Sequence, residues 1–149
     1  MEFIDNNNRT YEIKVSGLLG GHSGVDIDKH RGNAIKIMSD ILYSIDDVCI
    51  NNIQGGSKDN VIPDECMCII STNKEIDVHN YTYSGLPTLK IEIKEVEKCA
   101  KVVNNTQSRK IIEFMHNLSI EVLTYFESYP QTSLNLAKIN VVDKVMNID

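Results

Sequence analysis

Hydrophobic and polar residues alternate from Thr10 to Ser16, with Tyr11, Ile13 and Val15 on one side and Glu12, Lys14 and Ser16 on the other. A period of two predicts a strand with one buried face. The pattern runs into Gly17-Leu18-Leu19-Gly20-Gly21-His22-Ser23-Gly24, where four glycines in eight residues permit positive φ angles, so a shaped loop is expected. From about Arg31 to Ile45 the period changes. Ala34, Met38, Ile41, Leu42 and Ile45 recur at three- and four-residue steps, which predicts a helix with that stripe on the sheet and with Lys36 and Asp40 facing solvent. Strands are expected over Val48 to Ile53 and Cys66 to Ser71, and most clearly over Leu89 to Val96, where Leu89, Ile91 and Ile93 alternate with Lys90, Glu92 and Lys94. A second helix is written over Gln107 to Leu118, with Ile111, Met115 and Leu118 as its stripe and Asn105 or Thr106 as its cap. Leu136 to Val142 reads as a final strand or as a connector.

The order is strand, helix, strand, strand, strand, helix. It predicts an α+β two-layer sandwich, a mainly antiparallel sheet of about four strands with helices on one face. Between Thr72 and Thr88 the chain is polar, contains Gly85 and Pro87, and shows no helical period, so one covering helix is expected to be shortened or lost.

A length of 149 residues supports one ordinary core. Lys and Arg total 15 against 21 Asp and Glu, and the net charge of −6 argues against a nucleic-acid footprint, which requires a clustered positive field. The start, Glu2-Phe3-Ile4-Asp5-Asn6-Asn7-Asn8, is polar and acidic where a secretion signal needs a basic start and an apolar run. No apolar stretch is long enough to span a membrane, so no membrane partner is expected. The cysteines, Cys49, Cys66, Cys68 and Cys99, form no Cys-x-x-Cys, and three lie in apolar strand-like runs, which fits a reduced cytoplasmic protein.

The residue with most chemical potential is His22, because an imidazole among glycines stays accessible while backbone amides can approach a ligand. Spacing alone leaves two readings open, a reactive loop and a turn with an incidental histidine. Asp26, Asp28 and His30 invite a metal reading, but capping of the following helix by Asp26 or Asp28 is the stronger expectation, and no metal site is expected in this chain. Gly32 and Asn33 are expected to open that helix. His79 and His116 have no partner pattern, and solvent-facing or helix-terminal roles are expected.

Taken in order, His22-Ser23-Gly24-Val25-Asp26-Ile27, Arg31-Gly32-Asn33-Ala34, Gly55-Gly56 and Asn60-Val61-Ile62-Pro63 resemble words of the aminoacyl-histidine dipeptidases, a family of di-zinc peptidases. The resemblance runs from about Tyr11 to Ile70 and resumes at Thr132-Ser133-Leu134-Asn135-Leu136, which is similar to the family's chain returning into its catalytic domain. It implies a ferredoxin-like lid and dimerisation domain over residues 1–130 and a connector over 131–149 toward a catalytic domain not present in this sequence. It further implies a homodimer in which His22 is offered to the partner subunit's active site, to bind the oxyanion of a dipeptide substrate, with Asn60 as a second substrate contact.

The family's catalytic zinc ligands, a His-x-Asp motif and a paired Glu-Glu, are absent from the sequence. Zinc is therefore expected only in a complete enzyme, and this chain alone is expected to be inactive. Asp64 stands where the dipeptidases carry Arg, and Thr72, Asn73 and Lys74 occupy the stretch where relatives place a carboxylate-binding arginine, with Lys74 as a less specific substitute. The alternative function is a freestanding dimerisation or small-ligand-binding module, or the remnant of a disrupted peptidase gene, without catalysis.

Overall fold

The computed structural model describes residues 1–77, 81, 83–120, 122–127 and 129–149. Its centre is a six-stranded antiparallel sheet. β2 (Arg9–Ser16) lies between β6 (Cys66–Thr72) and β7 (Lys90–Val96), and β6 pairs on its other side with β4 (Cys49–Gly55). The alternation dictates the register. Ile13 stands opposite Cys68 and Ile93, and Tyr11, Ile13 and Val15 are buried on the helix-covered face while Glu12 and Lys14 pair with Lys94 and Glu92 on the other.

The first long helix, α2 (Ala34–Ser44), follows a single turn α1 (Ser23–Asp26) and lies on β2 and β6. α3 (Asn105–Asn117) packs beside α2 and on β4. The expected stripe of α2 is buried throughout, and so are Ile35, Ile37 and Ser39, with Ile35 against Gly55 of β4 and α3 packed along another side of the helix. Lys36 and Asp40 are consequently half-buried rather than solvent-facing. They pair at 3.0 Å, and the His116 ring of α3 binds Asp40 at 2.8 Å while stacking on Tyr43 with centroids 3.9 Å apart. His116 thus has a partner at its helix terminus, whereas His79 lies outside the described residues. The cap of α3 is Asn104, whose side chain accepts from the Gln107 amide, and not Asn105 or Thr106. Asn104 is placed there by the preceding strand β8 (Lys101–Val103), which ends its pairing with β1 (Phe3–Asp5) at Val103.

No helix appears among the described residues of 73–89. Ile76, Tyr81, Tyr83, Leu86 and Leu89 pack against the core instead, so irregular chain supplies the apolar cover that the missing helix would have given. The sheet exceeds the expected four strands because β11 (Ile139–Val142) and β12 (Val145–Ile148) form a hairpin that joins β4 at the Ile139–Gly55 pair. Its turn residues Asp143 and Lys144 both take positive φ, the geometry of a two-residue hairpin turn. Leu136, Ala137 and Ile139, from the segment read as a connector, are buried. A further hairpin pairs β9 (Val122–Phe126) with β10 (Tyr129–Ser133). No helix among the described residues is long and apolar enough to cross a membrane. Three cysteines are buried, and burial pushes the Cys66 thiol up to about 12 and the Cys68 thiol well above its ordinary value.

The turn before β2 is held by a buried polar side chain. Asn6 donates to the Thr10 hydroxyl (3.2 Å) and the Cys99 carbonyl (3.0 Å), and accepts from the Asn8 amide (2.9 Å) and the Ser71 hydroxyl (2.5 Å). Replacing it with Ala leaves several buried groups without partners, so Asn6→Ala is expected to cost about 2–4 kcal/mol in chemical denaturation. A loss under about 0.5 kcal/mol would show that the network contributes little.

Candidate functional site

The glycine-rich loop after β2 turns back as β3 (Gly21–His22), which pairs with β5 (Val61–Ile62), placing His22 opposite Val61. Gly21 has φ +144°, and a Cβ there would lie 2.6 Å from Arg31 Nη1 and 2.7 Å from the Asp26 carboxylate. Only a residue without a side chain lets these charged groups close over the strand. The ladder continues through the Ser23 amide, which donates to the Asn60 carbonyl at 3.0 Å.

His22 is exposed and caps α1. Its Nδ1 accepts from the Gly24 amide at 3.1 Å, which assigns the proton of the neutral ring to Nε2. Nε2 lies 3.5 Å from the Asn60 side-chain amide nitrogen. Two N–H donors from residues 38 apart in sequence therefore stand side by side at the surface, a disposition suited to one shared acceptor such as a carbonyl or carboxylate oxygen. The structure thus brings together the two site residues that the sequence resemblance picked out.

The surrounding words of that resemblance also meet in space. The Ala34 amide donates to the Pro63 carbonyl (2.9 Å). Asn33 caps α2 by accepting from the Ile35 and Lys36 amides, and donates to Asn135 Oδ1 (3.1 Å) and the Leu136 carbonyl (2.9 Å). Asn135 in turn donates to the Val61 carbonyl at 2.9 Å, so α2, β5 and the returning chain share one polar joint directly behind His22. Asn33, not Asp26 or Asp28, is the cap of the long helix. Asp26 instead accepts from the His22 backbone amide and binds Lys29 and Arg31, while Asp28 and His30 are exposed, His30 in a left-handed conformation. Among the described residues no group of three or more His, Cys, Asp or Glu is placed to hold a metal ion.

Two residues stand elsewhere. Lys74 lies past the far end of β6, paired with Asp47 at 4.0 Å, separated from Asn60 by a strand roughly 20 Å long. Asp64 is exposed close to Gly20, where a Cβ would be 3.4 Å from that of Asp64. Sequence reasoning missed the Asp26–Arg31 pairing and the Asn33–Asn135 joint. Complementary charges flanking the glycines were the available signal for the first, and nothing local announced the second.

Leu19 and Val25, on either side of His22, are 74% and 65% exposed, so the loop presents apolar surface around its polar donors. The Asp26 carboxyl is held below its ordinary value by its hydrogen bond from the Lys29 ammonium, then by that from the His22 amide.

Comparison with known proteins bears on the fold that carries this loop. The family model described as the peptidase dimerisation domain matches residues 13–82. The crystal structure of the aminoacylhistidine dipeptidase from Vibrio alginolyticus superposes with a TM-score of 0.81 at 23% sequence identity, over 98% of this chain and 35% of that one. The chain thus spans about a third of the length of that enzyme, and at this identity the likeness is one of fold. No curated protein sequence matches the chain. The matched span takes in the second half of β2, the His22 loop, α2, β4, β5 and β6, and over this stretch, a little under half of the chain, the sequence is similar to the peptidase dimerisation domain.

Proposed function

We propose that this chain is the lid and dimerisation domain of an aminoacyl-histidine dipeptidase, and that it presents His22 to the active site of a partner subunit. Nε2–H of His22 donates to the carbonyl oxygen of the scissile peptide as that oxygen gains negative charge, and the amide of Asn60 holds a neighbouring carbonyl or carboxylate of the dipeptide. On this reading the zinc ions and the water-activating carboxylate of such an enzyme are supplied by a catalytic domain, not by this lid. The observation that carries the reading is the pair of exposed donors 3.5 Å apart, with the His22 tautomer set by the Gly24 amide. A donor fixed in place before the reaction stabilises charge in the transition state without reorganisation, which is the logic of an oxyanion hole.

Self-association follows from the same domain. β7 is an open sheet edge, and such edges pair readily with a second copy about a twofold axis. Sedimentation of the isolated chain at micromolar concentration is expected to give a dimer, and a strict monomer would overturn the dimerisation reading.

The donation across subunits is tested by mixing. This chain is grafted in place of the equivalent third of the Vibrio dipeptidase, and two inactive forms are prepared, one with His22→Ala and one disabled in its catalytic domain. After dissociation and random re-pairing, activity is expected to return to roughly a quarter of the unmutated graft, because half of the dimers then hold one complete site. Mixed dimers without activity would rule out donation in trans. A folded but inactive unmutated graft would favour the freestanding, non-catalytic module.

A further inference from the structure

Resting on the reading of His22 just given, we propose that Asp26 and Arg31 are positioning residues for it, a carboxylate–guanidinium clamp that fixes the backbone on both sides of the Gly21–His22 step. The Asp26 carboxylate accepts from the His22 amide through Oδ2 at 2.9 Å and binds Arg31 Nη2 through Oδ1 at 3.0 Å. The same guanidinium donates from Nη1 to the Gly20 carbonyl at 3.0 Å. One ion pair thus engages the last carbonyl before Gly21 and the first amide after it. The clamp closes over Gly21, whose missing Cβ leaves room for both charged groups.

The need for such a device follows from the loop's composition. Gly20 and Gly21 both take positive φ, and glycine pairs impose almost no preference of their own, so the orientation of the next residue must be imposed from outside. The β3–β5 ladder is only two residues long, and α1 is a single turn whose cap is His22 itself. Neither element is long enough to hold the ring unaided. The clamp is better shielded than a surface pair. The side chains of Asp26 and Arg31 are 14% and 27% exposed, against 52% for Lys29, and Arg31 presents its planar fork to two acceptors at once. Arg31 also stands immediately before the Gly32-Asn33 step that opens α2, so the clamp ties the His22 loop to the most deeply buried helix of the domain.

The charged groups that face Asp26 are Arg31 and Lys29, with the His22 amide as the remaining donor and the exposed carboxylate of Asp64 nearby beside Gly20. A lysine at position 31 would supply the charge but not the second, geometrically fixed hydrogen bond.

The test uses nuclear magnetic resonance on the isolated chain. In the unmutated chain the His22 amide proton shift is expected to follow one ionisation lying below the ordinary carboxylate value, and the His22 ring should show a through-space contact to the Asn60 side-chain amide. Asp26→Asn is expected to abolish the titration, speed exchange of the His22 amide about tenfold and remove the ring contact, while the amides of Ile37 and Met38 in α2 keep their protection. Arg31→Ala should reproduce the loss of the ring contact, and Arg31→Lys should restore part of it. An unchanged His22 amide and ring contact in Asp26→Asn would overturn the clamp, and so would equal acceleration of exchange throughout α2, which would mean that Asp26 supports the fold and not the ring. The outcome is independent of the donation itself. If His22→Ala leaves turnover of the grafted enzyme intact, the catalytic reading falls whatever the amide does, and if the amide is indifferent to Asp26 while His22→Ala abolishes turnover, only the clamp falls.

Discussion

Gly56→Ala is expected to lower the melting temperature of this chain by about 10 °C or more, a loss of about 3–5 kcal/mol. Gly56 follows β4 with φ +72°, and a Cβ there would lie 1.9 Å from the Ala137 carbonyl oxygen and 2.9 Å from its carbon. Both atoms are backbone, so no rotamer change relieves the contact. The returning chain must move away, and it carries the buried side chains of Leu136, Ala137 and Ile139. The β4–β11 junction rests on one residue pair, Ile139 with Gly55, and has little pairing with which to resist. Gly85→Ala is the matched control. Its φ is +83°, yet nothing lies within 4 Å of the added carbon, so only the conformational cost of about 1 kcal/mol is expected. If Gly56→Ala cost no more than Gly85→Ala, close approach of the returning chain would not be the reason for the glycine. Hydrogen exchange gives a second readout, because protection at Ile139 should fall before protection in β2 or β6. The site should feel the change as well, since Asn135, which binds the Val61 carbonyl beside His22, stands two residues ahead of Ala137.

The elements legible in the sequence are those whose burial is one-sided and local. Tyr11, Ile13 and Val15 announce β2 because a single face meets the core, and Ala34, Met38, Ile41 and Leu42 announce α2 for the same reason. Ile35, Ile37 and Ser39 are equally buried, yet no period marks them, because the cover outside the stripe comes from elements distant in sequence, Gly55 of β4 over Ile35 and α3, some seventy residues on, along another side of the helix. The capping error has a similar origin. Asn104, Asn105 and Thr106 are all competent caps, and the choice between them is made by where β8 stops pairing with β1, a long-range event. β1, β3, β5 and β8 are two or three residues long, too short to show any period.

At the candidate site, the sequence nominates residues through a resemblance but carries no geometry. His22 and Asn60 were named through a family resemblance, but spacing says nothing of the 3.5 Å between them, which depends on a two-residue ladder closed over Gly21. Gly55-Gly56 was read as a family word, and the structure gives it a packing reason, the crossing of residues 137 and 138. Acidic residues ahead of a helix usually cap it, which makes Asp26 the expected cap, but Asn33 sits closer and uses both ends of its amide, leaving Asp26 to the His22 backbone.

In the grafted dipeptidase, His22→Ala is expected to lower kcat by about a hundredfold to a thousandfold, or about 2.7–4 kcal/mol, with KM changed little. The split follows from when the interaction forms. A peptide carbonyl in the bound substrate carries only partial charge, so a donor aimed at it contributes modestly to binding, whereas the same donor facing a developing oxyanion in a water-poor cleft contributes much more. Asn60→Ala should differ in kind. An amide that holds a neutral carbonyl or a resting carboxylate is used equally before and during the reaction, so KM is expected to rise about tenfold with kcat nearly kept. The substitutions separate from any effect on folding, because His22 is exposed and its ring accepts only the Gly24 amide within a single exposed turn, a cap whose loss costs about 0.5–1 kcal/mol. His22→Gln should fall between the native and Ala forms, since it keeps an N–H donor but loses the Nδ1 bond that aims it. A rise in KM with kcat unchanged for His22→Ala would reassign the ring to ground-state substrate binding. Unchanged values of both constants would remove His22 from the chemistry altogether.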